Sequence, residues 1–268
     1  MKKVVFMLAA VAMLFVGCSK DDDKNDNNGN DLKVAEKIIG KWIVADIDGK
    51  TAPTNKKMVF TFDSATKAYM TASLNWSSVI APRWLKKEEY AVAINGTAVT
   101  LTTQRDERTT VTHEFTVTAI NDNEFTTNDK FTKKVGGNVE ATQNEVIRFT
   151  KVATDYAQAI VGLWEGHVTS EGSVHDDGQV HRWEYKVDGN YVYYEKNGDQ
   201  WVPSANTLNE YFVDGNLLCT RWINEGVEYR EWWEIASIKD GVMKWTGLRE
   251  KEDGSTFIAT FEMTKVTE

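Results

Sequence analysis

Three histidines stand close together in the second half of this 268-residue chain. They are His167, His175 and His181, with Asp176 and Asp177 between the last two. Two imidazoles and a carboxylate form a donor set for zinc or another transition metal. However, Glu171 to Gln179 carries Gly172 and Gly178 and reads as a polar hairpin loop. His and Asp in such a loop are solvated, so no metal is assigned. His113 alternates with Val111 and Phe115 and is expected to pack locally or point inward. Glu231/Glu234 and Glu250/Glu252 have the makings of a glycosidase pair, but nothing in the sequence fixes their separation. Charges alternating along a strand more often form its wet face. The chain has no Gly-x-Ser-x-Gly elbow, His-Glu-x-x-His, Cys-x-x-Cys or phosphate-cradling glycine loop. The expectation is a non-enzymatic protein with no catalytic residues and no cofactor.

Aromatic rings are what the second half does offer. Trp183, Tyr185, Tyr191, Tyr193, Trp222, Trp232, Trp233 and Trp245 fall within 63 residues of one another. A small barrel fills its interior with large side chains, so part of this set must be core. Trp183, Tyr185, Tyr191, Tyr193 and Trp233 are expected to line a cup for a small apolar or amphipathic molecule. Trp232 and Trp233 are adjacent and must point to opposite faces of one strand. With Trp233 inward beside Ile235, Trp232 lies outward between Arg230 and Glu234. Trp222, Trp232 and Trp245 are therefore expected as surface contacts, where rings flanked by carboxylates suit sugars. The alternative is that this surface packs against the rest of the chain.

The elements that must carry these rings are strands. Prolines number only three, and Thr, Val and aromatic residues are plentiful. Alternating segments such as Met58-Phe60-Phe62, Tyr90-Val92-Ile94 and Phe257-Ala259-Phe261-Met263 are separated by Asn-Gly and Asp-Gly turns, the pattern of antiparallel hairpins. The pattern also occurs twice. Ile38-Ile39-Gly40-Lys41-Trp42 is answered by Ile160-Val161-Gly162-Leu163-Trp164. Phe60-Thr61-Phe62 is answered by Trp183-Glu184-Tyr185, and Phe149-Thr150-Lys151-Val152 by Met263-Thr264-Lys265-Val266. Such internal repetition marks a duplicated unit, with units expected at 31–153 and 154–268. Each should open on a short helix, capped by Asp31 or Asp155 and ended by Gly40 or Gly162. The segment Trp76 to Lys87, with Pro82 and Trp84, has no counterpart in the second copy and reads as a loop or lid. About eight short strands per copy, in sequence order, favour an up-and-down meander closed into a barrel.

Charge separates the two copies. Residues 31–154 hold 17 Lys+Arg against 15 Asp+Glu, and residues 155–268 hold 10 against 21. So acidic a second copy argues against nucleic acid as a partner.

The amino terminus sets the location. Lys2 and Lys3 precede the apolar run Val4 to Val16, which is short for a bilayer span, and then come Gly17 and Cys18. Phe15-Val16-Gly17-Cys18 resembles the lipobox of bacterial lipoproteins. The resemblance implies a signal peptide over 1–17 and acylation of Cys18. The residues 18–30 that follow are rich in Asp, Asn and Gly and read as a disordered tether. Their acidic run Asp21-Asp22-Asp23 looks like the export signal of Bacteroidota surface lipoproteins, which implies an outer-membrane anchor facing the medium. With Cys18 acylated, Cys219 has no intramolecular partner and is read as a buried small hydrophobe.

Gly40-Lys41-Trp42 and Gly162-Leu163-Trp164 each resemble the Gly-x-Trp opening of lipocalins. The fold expected is all-β: two tandem lipocalin-like antiparallel up-and-down β-barrels. The resemblance implies that Trp42 and Trp164 close the barrels, with Lys151 and Lys265 as the cations across them. Lipocalins proper use Arg at that place. The leading expectation is a surface lipoprotein that binds a small ligand in the second barrel. Glycan capture, or a structural subunit of an outer-membrane complex with filled barrels, are the alternatives.

Overall fold

The computed structural model describes residues 33–74, 83–169, 178–251 and 253–267. The signal segment, Cys18, the tether, Trp76, Pro82 and His175 lie outside the described residues. Residues 32–268 form one compact unit containing two nine-stranded antiparallel sheets.

The first sheet comprises β1 (Gly40–Ile47), β2 (Lys50–Thr51), β3 (Met58–Ser64), β4 (Lys67–Leu74), β5 (Arg83–Asn95), β6 (Ala98–Gln104), β7 (Thr109–Ile120), β8 (Glu124–Val135) and β9 (Asn138–Lys151). Its strands pair in order, and β9 returns to pair with β1. That closes an eight-stranded barrel, with the short β2 lying outside β1. Closure removes the edges that an open meander would expose.

The second sheet comprises β10 (Gly162–Val168), β11 (His181–Tyr185), β12 (Tyr191–Asn197), β13 (Gln200–Pro203), β14 (Thr207–Asp214), β15 (Leu217–Asn224), β16 (Val227–Lys239), β17 (Val242–Glu250) and β18 (Thr256–Lys265). Its order is β13-β12-β11-β10-β18-β17-β16-β15-β14. Here closure is incomplete. Tyr191 of β12 falls where Ala68 of β4 falls in the first copy, and Tyr211 of β14 where Val92 of β5 falls, the two amides donating to the equivalent Gly189 and Thr66 carbonyls. In the first copy β4 and β5 share a long ladder. In the second, β13 occupies the free edge of β12, pairing Tyr194 with Pro203 through Asn197 with Gln200. Only the Asn190–Glu210 bridge, with the Tyr211 amide donating to the Gly189 carbonyl at 2.8 Å, joins β12 to β14.

The repeat carries through to pairing register. Gly40 faces Phe62 and Trp42 faces Phe60; Gly162 faces Tyr185 and Trp164 faces Trp183. A bulge falls between Val117 and Ala119 in β7, and between Ile235 and Ser237 in β16. The openings differ from the expected helices. The first is a single turn, α1 (Val34–Lys37), whose N-cap is Lys33 rather than Asp31. The second is turn only, with the Ile160 amide donating to the Tyr156 carbonyl at 3.0 Å and the Val161 amide to the Gln158 carbonyl at 3.3 Å, although Asp155 accepts from the Ala157 amide at 3.0 Å as a cap would. Four or five residues between a loop and a strand cannot offset helix nucleation by themselves.

The two sheets share an apolar seam of Ile43, Val59, Phe212, Leu217, Cys219 and Trp232, with Trp84 and Val152 against it. Trp84 belongs to β5 and not to a lid; its ring lies 4.8 Å from Phe212 at 55° and under the Arg221 guanidinium at 4.8 Å. Trp232 is 9% exposed and donates its indole N–H to the Ser73 carbonyl at 2.7 Å. It is an interface residue and not a surface contact. Lys57 pairs with Glu234 at 2.9 Å, and Lys41 pairs with both Asp155 and Asp214 across the seam.

Candidate functional site

Alternation along β16 sends Tyr229, Glu231, Trp233 and Ile235 to the concave face and leaves Arg230, Trp232 and Glu234 on the face toward the first barrel. Neighbouring strands add Trp183 and Tyr185 from β11, Tyr191 and Tyr193 from β12, Thr220 and Trp222 from β15, and Trp245 from β17. Together with Glu231, Trp233 and Asn206 they line one cavity of about 150 Å³ inside the second barrel. Asn206 comes from the link between β13 and β14, at the seam where the barrel fails to close. All five rings expected in the cup lie on this wall. Trp222 and Trp245 lie on it too. Trp245 is 3% exposed, so its place is inside and not on the outer surface as expected. Its position on β17 pairs it with Ile235 and Phe261, both inward-facing.

The rings contact one another at varied angles. Trp183 lies 5.5 Å from Trp245 at 57°, and Trp233 lies 5.4 Å from Trp245 at 35°. Trp222 stacks on Tyr229 at 5.7 Å and 17°, and Tyr229 is 45% exposed. The hydroxyl of Tyr185 and the indole N–H groups of Trp233 and Trp245 are covered by protein and have no acceptor among the described residues. Burial pushes the Tyr185 phenol well above its ordinary value, and the nearby Tyr191, Glu231 and Tyr211 add to this. Tyr191 is pushed up the same way, by burial and then by the Glu231 charge.

Glu231 is the one carboxylate on the wall, and no Lys, Arg or His lines it. Arg249 donates to Glu231 at 3.3 Å and lies 4.3 Å from the centre of the Trp233 ring. Gly247 makes room for this arrangement, since a Cβ there would lie 3.1 Å from the Arg249 Nε and 3.3 Å from Trp233. Glu231 and Asn206 were not among the residues expected in the cup. Glu231 was legible from its spacing of two from Trp233. Asn206 was not, because it sits in a link.

The first barrel is filled at the corresponding level. His113 takes the place of Glu231, and Asp129 the place of Gly247. The His113 Nδ1 lies 2.9 Å from Asp129, and its ring packs against Phe60, Tyr90, Phe115 and Phe131. Beside them, Arg105 and Tyr90 both donate to Glu88.

At the other end of each barrel the two tryptophan openings are alike. Trp42 donates to the Ile38 carbonyl at 2.6 Å and Trp164 to the Ile160 carbonyl at 2.7 Å. The Lys151 and Lys265 ammonium groups each lie 5.2 Å from the centre of the facing indole. Gly40 and Gly162 have φ of +130° and +133°, and the same lysines pass over them. Such a φ is open to glycine at no steric cost.

Of the three clustered histidines, the two that are described, His167 and His181, do not come together. His181 faces inward, 3.0 Å from the Tyr193 hydroxyl and stacked on Trp183 at 5.5 Å. His167 is exposed on the other face of the sheet. Among the described residues no cluster of His, Cys, Asp and Glu has the geometry to hold a metal ion. Glu231 and Glu234 point to opposite faces, so they are not a catalytic pair; Glu252 and the Glu250 side chain lie outside the described residues. No described helix is long and apolar enough to cross a membrane.

No family model matches the chain, and no curated protein matches it. The solved structures similar to this chain include the transferrin binding protein B of Haemophilus parasuis Hp5 as a Tyr-167-Ala and Trp-176-Ala double mutant, and as the Trp-176-Ala mutant. Identities are 9% and 10%, and each alignment covers 79% of this chain with a TM-score of 0.23. The chain spans about half the length of these proteins, 54% and 53%. Superposition this loose carries no argument about ligand or partner.

Proposed function

We propose that the chain is a non-enzymatic surface lipoprotein, anchored through Cys18, that holds a small apolar or amphipathic molecule in the second barrel. The observation that carries this is the contrast between duplicated interiors. In one, the His113–Asp129 pair and the rings of Phe60, Tyr90, Phe115 and Phe131 occupy the level concerned. The other keeps a cavity of about 150 Å³ walled by seven aromatic rings. Natural cores pack to the density of organic crystals, so a void of this size forfeits contact energy on every wall. Its place beside an incompletely closed seam supports entry of a ligand.

The test is native mass spectrometry of the protein extracted from its own host, alongside Trp233→Ala. A bound small molecule on the wild type that the variant lacks supports the reading. A wild type that carries nothing, and whose tryptophan emission no small hydrophobic probe alters, refutes it. Glycan capture retains one observation in its favour, the Trp222–Tyr229 stack at the rim. Binding on a glycan array that Trp222→Ala abolishes would favour that reading.

A further inference from the structure

We infer that the cup is the anchor pocket of a protein-docking surface: a basic, extended segment of a partner chain lies across the mouth of the second barrel and buries one large apolar side chain in the cavity. This rests on the cup being a binding site and names what fills it.

The cavity is small. Pockets for drug-sized molecules and cofactors run to about 300–1,000 Å³. This one, at about 150 Å³, has room for roughly one benzene ring. That is the scale of a single aromatic or branched side chain. Desolvated pockets of this kind hold the anchors of protein interfaces.

The mouth is apolar. Nine large apolar side chains stand exposed among the described residues, and five of them, Val180, Val202, Leu208, Val227 and Tyr229, belong to this one opening. Pairing places them there. Tyr229 stacks on Trp222 of the cavity wall. Val227 faces Asn224 where β15 turns into β16. Leu208 follows Thr207, which faces Ile223, and lies two residues from Asn206 of the wall. Val202 faces Glu195, and Val180 directly precedes β11. Apolar residues scattered singly over a surface need no explanation, but a collar around a cavity does. Leu208 has a φ of +53°, the one apolar side chain held in the left-handed region among the described residues.

Charge and backbone favour a polypeptide over a lipid surface. Glu195, Asp199 and Glu225 stand exposed on the turns of this rim without an ion-pair partner among the described residues. Lys196 and Lys251 lie over the Trp201 and Phe257 rings. The acid excess of residues 155–268 has the same sign as the rim. Such a rim repels anionic headgroups and attracts Lys and Arg. β14 is also an edge strand, and its outer side over 207–209 has no strand beside it before the Asn190–Glu210 bridge. An extended chain adds hydrogen bonds at such an edge and sends alternate side chains into a pocket. A lipid has no such ladder to offer.

The probes are fluorescein-labelled peptides: Lys-Thr-Lys-Phe-Lys-Thr-Lys, the same peptide with Ala for Phe, and the same with Glu for every Lys. The full-length chain is held in phosphatidylcholine nanodiscs, with empty discs as the blank, and fluorescence anisotropy reads binding. The Phe peptide is expected to bind at least about tenfold more tightly than the Ala peptide, the scale of burying one large apolar side chain. It should also bind more tightly than the Glu peptide, by a margin that shrinks as salt rises. Val227→Lys changes an exposed collar residue outside the cavity wall. It should weaken the Phe peptide by about tenfold, while benzyl alcohol, read by tryptophan emission, binds as it does to the wild type. Equal binding of the Phe and Ala peptides overturns the anchor, and binding of no peptide overturns the docking surface. In both cases benzyl alcohol and the host-extracted mass spectrum still decide by themselves whether the cup takes a small molecule. Quenching of tryptophan emission by brominated phosphatidylcholine, with no peptide present, would put the collar on the bilayer and overturn the inference as well. The wild-type comparison needs no variant, so a misfolded Val227→Lys does not blunt it.

Discussion

Replacing Trp232 tests whether the two barrels are one cooperative body. Its indole lies between the sheets at 9% exposure, beside Phe212, Leu217 and Cys219. It also donates to the carbonyl of Ser73, which is fully buried. Truncating a buried Trp to Ala costs about 3–5 kcal/mol, part transfer and part cavity. The hydrogen bond accounts for about 0.5–1.5 kcal/mol of such a loss. Trp232→Phe keeps most of the apolar contact and loses the donor, so about 1–2 kcal/mol is expected. The assay is urea unfolding of residues 31–268, followed by near-ultraviolet circular dichroism and by tryptophan emission. Seven of the ten tryptophans lie in the second copy, so emission reports mainly on that barrel. In the wild type the two probes should coincide. In Trp232→Ala the emission transition should move to lower urea and separate from the dichroism transition, to which the aromatic rings of both barrels contribute. A cost under about 1 kcal/mol, with the probes still coincident, would refute the idea that this ring couples the barrels.

Three further outcomes follow from the same geometry. Gly166→Ala should lose about 3 kcal/mol or more by overpacking, because the new Cβ would lie 2.1 Å from the Glu262 carbonyl oxygen and 2.3 Å from Met263; thermal unfolding measures it, and a shift within error would contradict this β10–β18 approach. Lys265→Met should cost about 0.5–2 kcal/mol by removing the cation across Trp164, and Lys151→Met should cost the same in the first barrel; a large asymmetry between them would show that the two openings are not equivalent. Glu145 is held above the usual carboxylate value by burial, with Asp48 and Asp129 adding to it and the Gln143 hydrogen bond opposing. A raised acid pKa favours the fold below the unfolded value near 4.3 and loses that contribution as pH rises through the folded value. Glu145→Gln should therefore be relatively more stable than wild type at pH 7, with the advantage gone by about pH 4; an advantage independent of pH would refute the assignment.

Much of this molecule is decided locally. Alternation fixed which residues share a face: Trp233 with Ile235, and Trp232 opposite them. Asp-Gly and Asn-Gly pairs fixed the hairpins, because only a few residues tolerate the backbone of a two-residue turn. The repeat of Gly-x-Trp fixed equivalent registers in the two sheets. Alternation says nothing about which of the two faces is inside, because that depends on what the strand packs against. Trp245 went inward because β17 pairs between Ile235 and Phe261. Trp232, on the convex face of its own barrel, was buried all the same because the other barrel lies there. Closure is likewise a competition for edges. β13 takes the edge of β12 that would otherwise accept β14, so the second barrel stays ajar where the first is sealed. The cup follows from that competition, together with Gly247 standing where the first copy has Asp129. The β12–β13 hairpin and Gly247 are local features, but the wall is drawn from β11, β12, β15, β16 and β17, and only the folded arrangement brings these together.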